Sequence, residues 1–95
     1  MRIKAVLRDS EILKMKPGSE ARINACIDKN EDRFVSWGSL LKVMGISFEE
    51  RIKMLKLMQD RNIHIWLGIF GDQHVIYISK NEQVDDSEFV GYQWQ

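Results

Sequence analysis

Between Val35 and Ser79 the apolar residues switch from helical spacing to strict alternation, and the order this predicts is helix, turn, helix, hairpin. Ser36 stands where a hydroxyl can cap a helix running through Met44, which turns Leu40, Leu41 and Met44 inward and leaves Trp37 at its start as a lid on the core. Gly45 is the pivot. It accepts the positive φ that ends a helix, after which Ile46 supplies an apolar anchor and Ser47 a cap for the next helix. In that second helix Phe48, Ile52, Leu55 and Met58 recur at steps of three and four as one stripe, and Asn62 after Arg61 suits the left-handed residue that closes it.

Ile63 to Ser79 reads as a β-hairpin. Gly71-Asp72 between two alternating runs signals a two-residue turn that pairs Phe70 with Gln73, Leu67 with Ile76 and Trp66 with Tyr77. Alternation then sorts the side chains. Ile63, Ile65, Leu67, Ile69, Ile76 and Ile78 share the face that covers the core, and His64, Trp66, Phe70, Val75 and Tyr77 share the other. So many rings on a solvent-facing sheet call for cover, from the tail or from a partner.

Upstream, Pro17-Gly18 is a break with turn chemistry. Before it, Ile3, Ala5 and Leu7 alternate as in a strand while Ile3, Val6 and Leu7 also fit a helix, so residues 1–16 stay open between the two. After it, Ser19 as N-cap with Ile23, Cys26 and Ile27 on one side describes a helix to Asn30, whereas Ala21, Ile23, Ala25 and Ile27 alternate as in a hairpin arm. The helix is favoured because the later elements need a first helix to pack against; a β-meander over the first 30 residues would make the fold a different α+β arrangement. Arg33-Phe34-Val35 reads as a very short strand. The tail from Asn81 is acidic at first and ends Phe89-Val-Gly-Tyr-Gln-Trp-Gln95, aromatics that either fold back on the Trp66 face or form an extra strand with Val90, Tyr92 and Trp94 on one side. Without repeats or a linker, residues 1–95 read as one domain, with an N-terminal strand or helix over 1–18, a core over 19–79 and a tail over 80–95.

Composition changes this picture in two ways. With 95 residues, of which 44% are hydrophobic and 29% charged, the chain suits a single modest core. Its one cysteine, Cys26, cannot form an internal disulfide and reads as a small buried hydrophobe, and with no signal peptide and no apolar run near membrane-span length the expected compartment is the cytoplasm. Second, the net charge of zero hides a gradient, from +3 over residues 1–16 to −4 over residues 81–95. Proteins that live on nucleic acid are usually basic, since phosphate neutralisation supplies much of their affinity, and this balance argues against that class.

The order helix, short strand, helix, turn, helix, two-stranded wing resembles the winged helix-turn-helix superfamily. The residues that carry the resemblance are Phe34-Val35-Ser36, then Met44-Gly45-Ile46-Ser47 at the turn, then Leu55, Met58 and Arg61-Asn62-Ile63 leading into the wing. It covers about residues 19–79 and implies a small α+β winged helix-turn-helix domain with a C-terminal two-stranded hairpin wing. One position departs. The family pattern places an apolar residue six after the turn glycine, where this chain has Arg51, with Ile52 expected to take the burial one residue later. Together with Phe48 just after the cap, this implies a second helix that is rotated or buried at its start.

In that architecture the outward face of the second helix reads the major groove and the wing tip touches backbone. Carried onto this chain, that face holds Glu49, Lys53, Lys56, Leu57 and Asp60, and the implied phosphate contacts are Ser47, Lys53 and Lys56, joined by Lys42 and by Gln73 and His74 near the wing tip. Glu49 and Glu50 complement the helix dipole but would repel phosphates, and Glu49 is spaced to pair with Lys53. The first expectation is therefore a regulator that binds double-stranded DNA as a homodimer. The second is a protein-binding winged-helix inhibitor or adaptor, of the sort that phages and other mobile elements encode, using Trp66, Phe70, Val75, Tyr77, Tyr92 and Trp94 with the acidic tail. His64 and His74 fall on opposite faces of the hairpin, and the Glu49-Glu50 and Asp85-Asp86 pairs diverge on any regular element. The expectation is accordingly a protein without catalysis, metal, cofactor, small-molecule substrate or membrane contact.

Overall fold

The computed structural model describes residues 7–95, so the strand alternative at Ile3 and Ala5 lies outside the described residues. A short helix α1 (Asp9–Ile12) leads through the Pro17-Gly18 turn to α2 (Glu20–Asn30). Ser19 Oγ accepts a hydrogen bond from the Arg22 amide at 3.2 Å, which caps α2 at its start. Ile23, Cys26 and Ile27 are fully buried along one side. That shared stripe is why the alternating reading of Ala21 to Ile27 fails: a hairpin arm would have turned Cys26 away from Ile23 and Ile27. The β-meander is excluded over the described part of the first 30 residues.

Strand β1 (Phe34–Ser36) runs straight into α3 (Trp37–Met44), where Ser36 Oγ accepts from the Ser39 amide at 3.3 Å. Gly45 follows at φ 73°, and a Cβ there would lie 2.6 Å from Pro17 Cβ. Conformation and packing thus both demand glycine at this position. Ile46 is buried behind it.

The second helix of the pair departs from expectation. Phe48–Glu50 forms a single 3₁₀ turn, and α4 (Arg51–Asp60) starts only after it. The Ser47 hydroxyl does not cap the helix; it donates to Glu50 Oε1 at 2.8 Å. The buried stripe is Met54, Leu55 and Met58, while Phe48 and Ile52 are 55% and 40% exposed and Leu57, expected outward, packs half-buried against the core. The physical reason is phase. Each 3₁₀ residue advances about 120° rather than about 100°, which takes Phe48 out of step with α4, and within α4 the buried arc around Leu55 and Met58 takes in Met54 and leaves Ile52 at its margin. The helix is rotated, and its start is not buried. Asn62 closes it at φ 59°.

Strands β2 (His64–Phe70), β3 (Gln73–Ser79) and β4 (Phe89–Trp94) join β1 in an antiparallel sheet of order β1-β3-β2-β4. The hairpin register pairs Phe70 with Gln73, Leu67 with Ile76 and Trp66 with Tyr77, as alternation requires. The hairpin is not a terminal two-stranded element, however, because the tail returns as β4 along β2. Gly68 and Gly91 are opposite each other in this pairing. A Cβ on Gly91 would come within 2.4 Å of the Leu67 carbonyl oxygen, so β4 can approach this closely only where the side chain is missing.

Val35, Ile65, Leu67, Ile76, Ile78 and Trp94 lie on the face that meets the helices, where Ile65, Ile76 and Ile78 join Ile23, Ile27, Leu41, Met44, Met54, Leu55 and Met58 in one core. Each fully buried isoleucine stabilises by about 1.5–3 kcal/mol. Ile69, expected on the core, is 42% exposed, since it sits next to the hairpin turn where the helical layer no longer reaches. Two arginines tie the helices together. Buried Arg22 donates from Nε to the Val43 carbonyl at 2.7 Å and from Nη1 to the Met15 carbonyl at 3.1 Å. Arg61 reaches from the end of α4 to Asn24 Oδ1 at 3.1 Å and Asp28 Oδ1 at 2.9 Å on α2.

Candidate functional site

Two surfaces hold the residues that the sequence singles out. The first is the start and outward side of α4 with the hairpin tip. Arg51 lays its guanidinium over the Phe48 ring, 4.0 Å from the centroid, while its Nη1 donates to the Phe48 carbonyl at 2.8 Å. The cation and the ring form one unit that holds Phe48 outward. Glu49 and Glu50 are exposed beside it, and Ile52 follows.

The lysines of this surface are not equivalent. Lys53 Nζ donates to the Gly18 carbonyl at 3.1 Å, which directs its ammonium towards the turn before α2 instead of to Glu49. Lys42 and Lys56 are exposed on α3 and α4. Ser47, the remaining implied phosphate contact on this side, already spends its hydroxyl on Glu50. At the hairpin tip Gln73 and His74 are exposed, but they point to opposite faces of the sheet because they are neighbours in one strand. His74 shares a shallow depression with Trp37, Leu67, Val75 and Tyr92, not with the lysines.

The second surface is the outer face of the sheet, which no helix covers among the described residues. It is not the open aromatic plane that alternation suggests. Phe34, arriving from β1, sits with its ring centroid 4.7 Å from Phe70, 4.6 Å from Tyr77 and 5.4 Å from Phe89. Trp66 stands edge-on to Tyr77 at 5.9 Å, and His64 lies 6.0 Å from Trp66. The Gln93 amide closes the far end by donating to His64 Nδ1 at 3.0 Å. The rings therefore cover one another, and Trp66 and Val75 are left only 8% and 5% exposed.

The six residues expected to serve protein interaction consequently do not share one face. Trp66 and Val75 are buried, Phe70 and Tyr77 are half-buried in the ring cluster, and Tyr92 and Trp94 project from the opposite face. Trp94 packs on the core, whereas Tyr92 is exposed. Sequence reasoning missed Phe34 as a member of the cluster, whereas both alternatives left for the tail hold in part: it forms a strand with Val90, Tyr92 and Trp94 on one side, and Phe89 turns to the Trp66 face. A signal existed for the strand that brings Phe89, since a glycine inside a strand pattern, Gly68, marks a close approach of another backbone, here that of Val90 and Gly91.

Burial sets the chemistry of the two groups that titrate unusually. The Cys26 thiol is pushed up from 9.0 to about 11, chiefly by burial and against the pull of Arg22, so it is a poor nucleophile. The Tyr77 phenol is raised by partial burial and then by the Asp32 carboxylate, against a hydrogen bond with Ser79. Asp32 itself takes a left-handed conformation at φ 63° and accepts a hydrogen bond from the buried Ser79 hydroxyl. Among the described residues no three His, Cys, Asp or Glu side chains converge as a metal site would require, and no helix is long and apolar enough to cross a membrane. Comparison of the chain with protein-family models, with curated proteins and with solved structures finds no match.

Proposed function

We propose that this chain is a winged-helix module that acts by docking a protein partner, as an inhibitor or adaptor, through the start of its second helix. The winged-helix assignment is supported by the element order α2-β1-α3-α4-β2-β3 and by the place of β1 beside β3 in the sheet. One observation carries the choice of ligand. At the position that would enter a DNA groove stand two exposed apolar side chains, Phe48 and Ile52, with the carboxylates of Glu49 and Glu50 between and beside them. Two carboxylates facing phosphate repel it, while an exposed ring and a branched aliphatic side chain gain from being covered by a partner's apolar surface.

DNA binding is the second reading, favoured by exposed Lys42 on α3 and Lys56 on α4. The two readings part in a titration of a labelled random-sequence duplex at low salt. The protein-docking reading expects no binding. Binding that weakens steeply as salt is raised would overturn it in favour of phosphate contact. A photo-crosslinking residue placed at position 48 in producing cells is the positive test. It should join a single protein of defined mass, and the Ile52→Ser variant should reduce that product.

A further inference from the structure

Strand β4 is the outermost strand on its side of the sheet, paired with β2 and with nothing on its other side among the described residues. Edge strands of monomeric proteins usually carry a charge, a proline, a bulge or a short length that prevents pairing with another chain. β4 carries none of these. Its six residues, Phe89–Trp94, include no charged side chain and no proline, and its register with β2 runs unbroken from Phe70↔Phe89 to Ile65↔Trp94. Its two most exposed side chains, Val90 at 72% and Tyr92 at 63%, stand on one face two residues apart.

We propose that β4 pairs antiparallel with β4 of a second copy of this chain, giving one eight-stranded sheet about a two-fold axis at Gly91. With Gly91 on the axis, Val90 falls opposite Tyr92 of the second copy and Tyr92 opposite its Val90. The strand is its own complement. Each exposed apolar side chain is covered by the other type, an aromatic against a β-branched group, and symmetry makes the contact twice.

Charge selects this direction. Asp85, Asp86 and Glu88 precede β4, and a parallel pairing would set the two acidic runs abreast. Antiparallel pairing separates the runs, setting Glu88 opposite Trp94 and Ser87 opposite Gln95, beside the start of the adjoining strand β2 at His64. Closure at two copies follows from the other edge. β1 is only three residues long, Phe34–Ser36, so the sheet offers one edge of useful length and growth stops at the dimer. The seam uses none of the residues around Phe48 and Ile52, so its failure leaves the protein-docking reading untouched.

Sedimentation of the full chain over a concentration series tests the proposal, with Val90→Lys plus Tyr92→Lys as the blocking variant. The wild type should associate to a dimer, and the variant should associate at least about tenfold more weakly. A wild type that stays monomeric throughout, or a variant that associates equally well, overturns the seam. Amide exchange of the wild type guards against a variant that fails to fold. Those amides of residues 89–94 that face away from β2 should gain protection with concentration, and protection of the same amides that is independent of concentration would place another segment of the same chain on this edge and overturn the seam as well. Oxidation of a Val90→Cys plus Tyr92→Cys variant should give a disulfide-linked dimer, because buried Cys26 does not compete. A dimer that forms no such link overturns the position of the axis.

Discussion

The two faces of the sheet are both apolar, yet they are kept from water by different means. On the inner face Ile65, Ile76 and Ile78 are branched aliphatic groups sealed by α2, α3 and α4, and none is more than marginally exposed. On the outer face Phe34, Trp66, Phe70, Tyr77 and Phe89 seal one another, with no helix above them among the described residues. Ring area makes this possible: an aromatic side chain can lie across a neighbouring strand and bury it, which an isoleucine is too short to do. The cover remains partial. Phe34, Phe70, Tyr77 and Phe89 stay half-buried, and the apolar surface that neither layer reaches is left at Ile69, Val90 and Tyr92.

This contrast can be tested from its strongest side first. Ile76→Ala empties a fully buried inner-face site, and urea unfolding should show a loss of about 3–5 kcal/mol. A loss below that of any outer-face variant would invert the comparison.

Next comes alkaline titration, which probes how dry each layer is. Cys26 keeps its proton in the folded chain up to about 11 but ionises from 9.0 once unfolded, so its contribution is complete below pH 9 and is lost as pH rises to 11. That step amounts to about 2–3 kcal/mol and should vanish from the pH profile of Cys26→Ala. Tyr77 acts in the same direction from pH 10.0 upwards, since its phenol is also raised, and Tyr77→Phe should flatten only that higher part of the profile. A wild-type profile with no decline between pH 9 and 11 would mean that water reaches Cys26.

Smaller again is Phe34→Ala, which removes the central ring of the outer cluster. Because the ring is only half-buried, the expected cost is about 2 kcal/mol, accompanied by a change in the near-ultraviolet signal of Trp66 and Tyr77. An equal cost for Phe34→Ala and Ile76→Ala would make the outer cluster a second core. The smallest effect belongs to Phe48→Ser together with Ile52→Ser, which should alter stability by no more than about 0.5 kcal/mol, as surface changes do. A large loss there would show that the patch serves the fold and would remove the main support for partner docking.

Several elements were readable because their chemistry is local. Ser19 and Ser36 cap their helices through their own hydroxyls, Gly45 needs no distant partner to adopt a positive φ, and Gly71-Asp72 sets the hairpin register by turn length alone. The candidate site was less readable. Ser47 has the same residue type as the two good caps, yet Glu50 captures its hydroxyl and the chain enters a 3₁₀ turn. Steps of three and four join Ile52 to Leu55 and Met58, but Ile52 and Met54 stand on opposite sides of that pair, and which of them is covered depends on how α4 sits on the core. The reach of Lys53 to Gly18 joins residues far apart in the chain and leaves no mark on spacing.

By itself the amino-acid sequence determined where α2 and α3 start, where α3 and α4 stop and which side chains share each face of the hairpin, since caps, turns and alternation are properties of neighbouring residues. Only the tertiary structure decided what covers each face. The inner one receives three helices, and the outer one is shielded by Phe34 and Phe89, brought from opposite ends of the sheet. It also decided that the tail becomes β4, because that pairing rests on Gly68 and Gly91 meeting across strands distant in the chain. Alternation states that two residues look the same way; it carries no information about what they see.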